Sequence, residues 1–253
     1  MKRTLAAILC IAATPALAAD VDICVEGAYP PFSETTPAGD VIGFDIDIAD
    51  ALCTEMGKSC EIVPTEWDGI IPALLEGKCD AIIASMSITE ERKQVIDFSE
   101  KYYQTPASFL ARADAGLDST AESLADKVVG VQRATTHQQF MEGEFPDVEL
   151  RLYGTQDEAY LDLVAGRVDA IMADSVVMDY GFLRTEDGKD FAFFGEPFSI
   201  PKYHGEGAGI GVRQGEEELR DALSAAIEAI RASGEYQKIQ AKYFDFDIYG
   251  SGV

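Results

Sequence analysis

The densest group of polar side chains after a predicted strand lies at residues 85–92, which read SMSITEER. Ser85, Ser87 and Arg92 could bind an anion, because a guanidinium can donate two parallel hydrogen bonds to one carboxylate. Thr89 has the residue type of an N-cap for a following turn. The alternative is that Arg92 forms a surface salt bridge, for which so acidic a chain offers many partners. Spacing alone does not separate these two interpretations.

Two acidic residues also follow predicted strands. Glu26 follows a strand at Val21–Val25, and Asp174 follows a strand at residues 170–173. Either carboxylate could bind an amino group of a ligand. For Asp174 alone, however, we favour the commoner role of N-cap for a helix that starts near Ser175.

Two aromatic residues and two threonines are further candidates. Tyr29 precedes two prolines that stiffen its loop, and Trp67 begins a predicted helix. Each aromatic residue is more often part of a core, but near an acid the pair could hold a flat cation by stacking. Thr135 and Thr136 begin another predicted helix. Capping is their simplest role, although the free N–H groups of a helix start also favour an anion.

Patterns typical of enzymes and metal sites are missing from the sequence. It has no Ser-His-Asp order, no Gly-rich phosphate loop and no zinc spacing, and His137 and His204 stand alone. We interpret Arg133 and His137 as solvated or rim residues. The sequence therefore predicts no cofactor and no metal, and it favours binding over catalysis. A net charge of −25 over 253 residues also makes nucleic acid and anionic membrane surfaces poor partners.

The first 18 residues have the pattern of an export signal. Lys2 and Arg3 precede a short apolar run, and residues 16–18 form a small-x-small cleavage site. The apolar run is too short to span a bilayer, and no later stretch is long and uncharged enough to do so. We expect a mature exported chain that starts at Ala19.

Four cysteines remain once Cys10, inside the apolar run, is removed. An even number in an exported protein favours disulfide bonds. Cys53 and Cys60 flank the end of a predicted helix and the start of a strand, and they are the most favourable pair. Cys24 and Cys79 form either a second disulfide or two buried free thiols.

Short strands alternate with helices along the mature chain, which predicts an α/β fold with mainly parallel sheets. The predicted strands lie at residues 21–25, 61–64, 81–84, 128–131, 149–153 and 170–173, and the predicted helices at residues 44–56, 67–76, 136–145, 217–232 and 236–243, with a further helix opened by a capping box at residues 155–158.

One unit of this pattern occurs twice. Residues 74–85 read LLEGKCDAIIAS and residues 163–174 read LVAGRVDAIMAD. We infer two similar lobes, with Ser85 and Asp174 at the carboxyl ends of corresponding strands. Open α/β sheets bind their ligands beyond these ends, so a cleft between the lobes would present both residues to one small molecule.

Six segments together resemble a known family, the extracytoplasmic solute-binding proteins (family 3) of polar amino-acid ABC transporters, and most of all its lysine/arginine/ornithine- and histidine-binding branch. The segments are YPPF at residues 29–32, GFDIDI at 43–48, WDGIIPAL at 67–74, SMSIT at 85–89 with Arg92, GRVDA at 166–170 and KYFD at 242–245. The resemblance covers essentially the whole mature chain. It implies a two-lobed periplasmic binding protein fold of type II, with two crossings near residues 104–107 and 199–207. Lobe 1 would comprise residues 19–107 and 199–253, and lobe 2 residues 108–198.

The resemblance also implies how the head group of an amino acid is bound. Arg92, Ser87 and Thr136 would hold its α-carboxylate. Asp174 and the main chain at Ser85 would hold its α-ammonium group.

For the side chain of the amino acid, the resemblance implies a sandwich between Tyr29 and Trp67, with Glu26 at a position that is acidic in binders of cationic amino acids. Met86 and Thr135, beside these residues, complete the predicted site. The pair Cys53 and Cys60 matches a disulfide of the branch.

Three positions depart from the pattern of the branch. Ala84 stands where close relatives often have a serine, Ala134 stands where a glycine usually precedes the threonines, and Glu26 is one methylene longer than the aspartate of some relatives.

Charge counting favours a cationic ligand independently. Arg92 against Asp174 and Glu26 leaves one negative charge, which an amino acid with a cationic side chain would neutralise. We predict periplasmic capture of arginine, lysine or ornithine by lobe closure, without catalysis, by a monomer whose closed form docks on the permease of an ABC importer. The alternatives are a binder of opines or histidine, a small-acid dehydratase on the same scaffold, and a sensing module of a membrane receptor.

Overall fold

The computed structural model describes residues 21–250. Its strands are β1 (Val21–Val25), β2 (Ala28–Tyr29), β3 (Ser33–Thr35), β4 (Val41–Ile42), β5 (Cys60–Pro64), β6 (Ala81–Ile82), β7 (Ile96–Tyr103), β8 (Ala107–Arg112), β9 (Val128–Gln132), β10 (Glu149–Tyr153), β11 (Ala170–Asp174), β12 (Phe191–Phe198) and β13 (Ala208–Arg213). Its α-helices are α1 (Phe44–Met56), α2 (Ile70–Leu75), α3 (Ala121–Leu124), α4 (Thr136–Glu144), α5 (Gln156–Val164), α6 (Ser175–Met178), α7 (Pro201–His204), α8 (Glu217–Ser233) and α9 (Glu235–Tyr243). The predicted export signal lies outside the described residues.

Two five-stranded sheets form the centres of two lobes. The lobe 1 sheet has the order β5-β1-β6-β13-β7, and the lobe 2 sheet has the order β10-β9-β11-β8-β12. In each sheet the first three strands are parallel, as the alternation of strands and helices predicts. The other two pairings in each sheet are antiparallel, so the sheets are mixed rather than mainly parallel. The cause is that β7, β8, β12 and β13 lead into or out of the crossings and return alongside the parallel strands.

The repeated sequence unit occupies the same place in both lobes. Its strand, β6 or β11, is the middle strand of each sheet. The aspartate that precedes the strand also does the same work in both copies. The Asp80 carboxylate accepts a hydrogen bond from the main-chain N–H of Asp22, and the Asp169 carboxylate accepts one from that of Val128. The two lobes are therefore built on one local plan.

The chain passes between the sheets twice. Residues 104–106 join β7 to β8, and residues 199–207, which contain α7, join β12 to β13. Helices α8 and α9 then pack on lobe 1, where Ile227, Ile230 and Ile239 share one core with residues of α1. Two short crossings thus join the two sheets.

Helix α1 has the bounds that its apolar spacing predicts. Phe44, Ile48 and Leu52 are fully buried on its inner face, and burying each stabilises the fold by about 2 kcal/mol. The helix ends at Gly57, whose φ of 67° is left-handed and therefore favours glycine. The predicted capping box at the start of α5 is also confirmed, with Thr155 and Glu158 each bonded to the other's main chain.

A third sheet, β2-β3-β4, is small and was not expected from the sequence. Its strands are two or three residues long, too short for a pattern of alternation. This sheet holds Tyr29 beside the carboxyl end of β1.

Both cysteine pairs are joined by disulfides, Cys53 to Cys60 and Cys24 to Cys79. The disulfide between Cys24 and Cys79 excludes the alternative that these two cysteines are free thiols. None of the helices in this part of the chain is long and apolar enough to cross a membrane.

Candidate functional site

Two adjoining cavities lie between the lobes, at the carboxyl ends of β1, β6, β9 and β11. The Trp67 cavity has an empty volume of about 320 Å³ and is lined by Glu26, Tyr29, Trp67, Ala84, Ser85, Ser87, Arg92, Gln132, Thr135, Thr136 and His137. The Asp174 cavity has an empty volume of about 510 Å³ and is lined by Tyr29, Ser85, Ser87, Tyr103, Gln104, Thr105, Ala107, Thr136, His137, Asp174, Ser199, His204, Gly205, Gly207 and Ala208. Nine of the ten predicted site residues therefore meet here; the other, Met86, does not line either cavity.

Arg92 is buried, with 8% of its surface exposed. Its Nη1 donates to the carbonyl of Ser87 at 2.9 Å, and its Nη2 donates across the cleft to the carbonyl of Ala134 at 3.4 Å. No carboxylate of residues 21–250 forms an ion pair with it. The surface salt bridge considered for this residue is thus not formed. A buried cation without an anion is costly, and burial lowers the pKa of Arg92 to about 10.

Thr89 fixes the turn that carries Arg92. Its hydroxyl accepts a hydrogen bond from the Arg92 N–H at 3.3 Å, as an N-cap does. The turn is a single 3-10 turn, Arg92–Gln94, rather than a longer helix. The side chain of Arg92 is consequently held by a short and tightly bonded segment.

Trp67 supplies an aromatic wall of its cavity. The indole is 9% exposed, and the Cζ atom of Arg92 lies 5.3 Å from its ring centre. The buried indole Nε1 has no hydrogen-bond partner among residues 21–250. Tyr29 contributes the other aromatic side chain and lines both cavities.

Ser85 adopts a left-handed backbone conformation with φ of 56°, which is unusual for a residue with a side chain. Its hydroxyl donates to Asp45 Oδ2 at 3.1 Å, and the Tyr102 hydroxyl donates to Asp45 Oδ1 at 3.0 Å. Asp45 is fully buried, and burial raises its pKa to about 7. The Ser85 N–H donates to the Tyr102 hydroxyl oxygen at 3.1 Å. Because the hydroxyl and the N–H of Ser85 are both already bonded, its main-chain carbonyl is the part left for a ligand.

Met86, between Ser85 and Ser87, lies apart from the site. Its side chain is fully buried in the lobe 1 core with Trp67, Ile70 and Leu74. Ser85 and Ser87, on either side of it, line the cavities instead.

The start of α4 forms the opposite wall. Thr135 is the N-cap: its hydroxyl accepts from the Gln138 N–H at 3.2 Å and donates to the Gln132 carbonyl at 2.7 Å. Thr136 is buried at the first helical position and lines both cavities. Ala134 has φ of 58°, so it keeps the left-handed conformation that a glycine would adopt more easily.

Asp174 caps a helix and also lines a cavity. Oδ1 accepts from the N–H groups of Val176 and Val177, at 2.8 and 3.2 Å, and so caps α6. Oδ2 accepts a hydrogen bond from the hydroxyl of Thr105. The carboxylate also lines its cavity with 8% of its surface exposed, and burial raises its pKa to about 6.

Glu26 and Gln132 meet across the cleft. Nε2 of Gln132, at the end of β9 in lobe 2, donates to Oε1 of Glu26 in lobe 1 at 2.5 Å. Burial raises the pKa of Glu26 to about 7, and the hydrogen bond from Gln132 opposes that rise. Arg133 does not neutralise Glu26, because it forms a salt bridge with Asp68 at 3.2 Å instead.

His137 and His204 come together at the Asp174 cavity, with ring centres 6.0 Å apart. His137 was interpreted as a rim residue, but it is half-buried and lines both cavities, because α4 points into the cleft. Burial lowers the pKa of His137 to about 3 and that of His204 to about 4, so both rings are neutral at pH 7. Within residues 21–250 they do not belong to a group of three or more His, Cys, Asp or Glu side chains that could hold a metal ion.

Polar contacts also join the lobes at the rim. Arg133 pairs with Asp68, and Nε2 of Gln139 donates to Oε2 of Glu91 at 2.8 Å. The side chains in the Arg133–Asp68 pair are 48% and 37% exposed, so Arg133 is a rim residue as predicted. The structure therefore has its lobes in contact around an enclosed polar site.

Residues 21–246, nearly the whole described chain, match the family of bacterial extracellular solute-binding proteins, family 3. The chain belongs to this family.

Its relatives agree with that assignment. The L-arginine-binding protein of Pseudomonas aeruginosa is 49% identical over 96% of this chain and 95% of the relative. The lysine/arginine/ornithine-binding periplasmic protein of Escherichia coli K12 is 40% identical over 93% of this chain and 91% of the relative. Among solved structures, a periplasmic binding protein of Salmonella typhimurium described for its high arginine specificity superposes with a TM-score of 0.83, at 32% identity, over 90% of this chain and 100% of that chain.

Proposed function

We propose that this protein captures a cationic L-amino acid, arginine foremost, between its lobes and delivers it to an ABC importer. The observation that carries the proposal is a set of unpaired buried charges around one enclosed space. Within the described part of the chain, Arg92 has no acidic partner there, while Asp174 and Glu26 have no basic partner. Since unpaired buried charges are costly, the site fits a ligand with one carboxylate and two cationic groups.

The residues around the site suit the parts of such a ligand. Arg92, with Ser87 and the N-terminal N–H groups of α4 at Thr136, suits the α-carboxylate. Asp174 and the main chain at Ser85 suit the α-ammonium group. These two sets belong to adjoining cavities, as the two substituents of one α-carbon require.

The side chain of the ligand would extend past Tyr29 and Trp67 toward Glu26. A guanidinium is planar and stacks on aromatic faces, whereas an ammonium group is a compact and strongly hydrated charge. This geometry favours arginine over lysine and ornithine. The names of the P. aeruginosa and S. typhimurium relatives support the same choice.

Binding would be coupled to closure. We propose that residues 19–107 with 199–253 move as one body and residues 108–198 as the other, about the crossings at residues 104–107 and 199–207. A ligand that contacts both lobes binds the closed form more tightly than the open form and so shifts the population toward it.

The export signal at residues 1–18 and the family support a periplasmic location for the mature chain. We propose that it acts there as a monomer and that its closed form docks on the permease subunits of the importer.

An enzyme on the same scaffold is the alternative from another class. The family's named relatives are binding proteins, and the acids of this site are suited to pairing with charges of the ligand. Incubation with arginine or with a dehydratase substrate, followed by mass spectrometry, tests this alternative. A product formed at a rate proportional to protein concentration would make the protein an enzyme.

Isothermal titration with a panel of amino acids tests the proposed function. We expect tight binding of arginine, weaker binding of lysine and ornithine, and little binding of glutamine or glutamate. Tight binding of glutamate with no cationic amino acid bound would contradict it. Tight binding of histidine or an opine alone would select that alternative instead.

A further inference from the structure

Gln132 is a lobe 2 residue that contacts an acid of lobe 1. It is 2% exposed, and its Nε2 donates one hydrogen bond to Glu26 at 2.5 Å and another to the Gly154 carbonyl at 3.0 Å. Both partners are acceptors, so the amide must present its NH2 group to them. The two N–H bonds of the amide are therefore both used.

The lobe 2 side of this contact is held firmly. The Gln132 carbonyl accepts from the Thr135 hydroxyl at 2.7 Å, which ties it to the N-cap of α4. The N–H of Gly154 donates to Oε2 of Glu158 at 2.8 Å, which ties the second anchor to the start of α5. The starts of α4 and α5 thus hold the amide in place. It therefore moves only when lobe 2 moves.

On the lobe 1 side of this contact lies Glu26, the acid proposed to bind the cationic end of the ligand. Glu26 is held away from water, which favours its neutral form, and the Gln132 N–H bond favours its ionised form. This bond engages Oε1 and leaves Oε2 for the ligand. It exists only while the lobes are in contact.

We propose that Gln132 is a positioning residue for Glu26, which orients and stabilises the ionised carboxylate on closure, so that preference for a cationic side chain is completed in the closed form. The inference rests on the proposed function and adds a specificity determinant that carries no charge. It separates a step in which the amino-acid head group binds from a step in which the side chain is selected.

The test compares arginine with citrulline, a neutral ligand of nearly the same shape, by isothermal titration. Gln132→Leu should lower the ratio of arginine to citrulline affinity about tenfold or more, the range for a hydrogen bond to a charged group. Loss of the Gly154 contact affects both ligands equally and cancels in the ratio. In a Glu26→Gln background, Gln132→Leu should leave the ratio unchanged, because the group that it positions is no longer ionised.

Gln139→Leu is the matched control. It removes another glutamine-to-glutamate hydrogen bond between the lobes, but one at the exposed rim. It should leave the ratio unchanged. Equal ratios in wild type and Gln132→Leu, or equal changes in Gln132→Leu and Gln139→Leu, would overturn the inference and leave the proposed function standing.

The pH profile gives a second readout, which decides the matter if citrulline binding is too weak to measure. Because the hydrogen bond exists only in the closed form, its loss raises the pKa of Glu26 in the bound protein alone, so the total fall of arginine affinity in acid should be smaller in Gln132→Leu than in wild type. An equal fall in both proteins would count against the inference. Failure of wild type to bind any cationic amino acid would instead refute the proposed function.

Discussion

The guanidinium of Arg92 lies over the indole of Trp67, with Cζ 5.3 Å from the ring centre. The aromatic ring stabilises the cation without neutralising it. Arg92 is therefore kept buried and charged, and its guanidinium donates to the carbonyls of Ser87 and Ala134 at the proposed carboxylate site.

Arg92→Ala should abolish measurable binding of every amino acid, with a loss of at least about 30-fold, since removing one partner of a buried charge pair costs about 2–5 kcal/mol. Isothermal titration measures the loss. Arg133→Gln is the control, because it removes a guanidinium at the exposed rim. Tight binding retained by Arg92→Ala would show that the carboxylate binds elsewhere.

Glu26→Gln should weaken cationic ligands selectively. The variant keeps the size of the side chain but removes its charge, so arginine and lysine affinities should fall about 10- to 100-fold while affinities for neutral amino acids fall little. Competition titrations with arginine, lysine and glutamine measure these affinities. Equal losses for neutral and cationic ligands would argue against a role for Glu26 in recognising the side chain.

Arginine binding should weaken in acid. In the closed form without ligand, burial raises the pKa of Glu26 to about 7 and that of Asp174 to about 6, and a bound cation lowers both. Binding therefore releases protons, and affinity should fall as pH decreases from 8 to 5, by up to about tenfold per pH unit for each group. Titrations at pH 6.5 in buffers of different ionisation enthalpy count the protons. Constant affinity with no proton release would contradict this assignment.

Asp45 should make the ligand-free protein less stable as pH rises. Its folded pKa of about 7 lies above the ordinary value, so the folded state binds the proton more tightly than the unfolded state does. The resulting stabilisation is complete below about pH 4 and is lost as pH rises through 7. Urea unfolding at pH 5 and pH 8 should thus show a smaller change in the free energy of unfolding for Asp45→Asn than for wild type. A difference in the opposite direction would mean that Asp45 is ionised in the fold at pH 5.

The two disulfides should differ in their contribution to stability. Cys24 and Cys79 are 55 residues apart, whereas Cys53 and Cys60 are 7 apart. By loop-closure entropy the longer link contributes about 4 kcal/mol and the shorter about 2 kcal/mol. Urea unfolding of the two double-serine variants compares them. A larger loss for Cys53→Ser/Cys60→Ser would contradict this ranking.

Local signals predicted the parts of the fold that depend on local interactions. The bounds of α1 and β10, the capping box at Thr155 and the repeated unit all follow from apolar spacing or capping chemistry. The antiparallel strands β7, β8, β12 and β13 were not predicted. These strands pair with segments that are far apart from them in sequence. Their own residues do not indicate which strand each will pair with.

The candidate site was predicted less evenly. Sequence alone left Arg92 between two interpretations, because burial decides between a salt bridge and an anion site and burial depends on the whole lobe. Gln132 gave no signal at all, since a glutamine that ends a strand is ordinary until the opposite lobe brings Glu26 to it. The position of His137 in the cleft was equally hard to predict, because the sequence pattern of a helix start is the same whether the helix faces solvent or a cleft.

The groups suited to the two ends of an amino acid are carried by different bodies, Arg92 by lobe 1 and Asp174 by lobe 2. A simple carboxylic acid or a simple amine satisfies only one of them and has no means of drawing the other body toward it. On the proposed function, a compound must therefore present both ends at once before the closed form becomes the prevailing one. Small carboxylic acids and amines around the cell would contact only one lobe, and the protein would stay open.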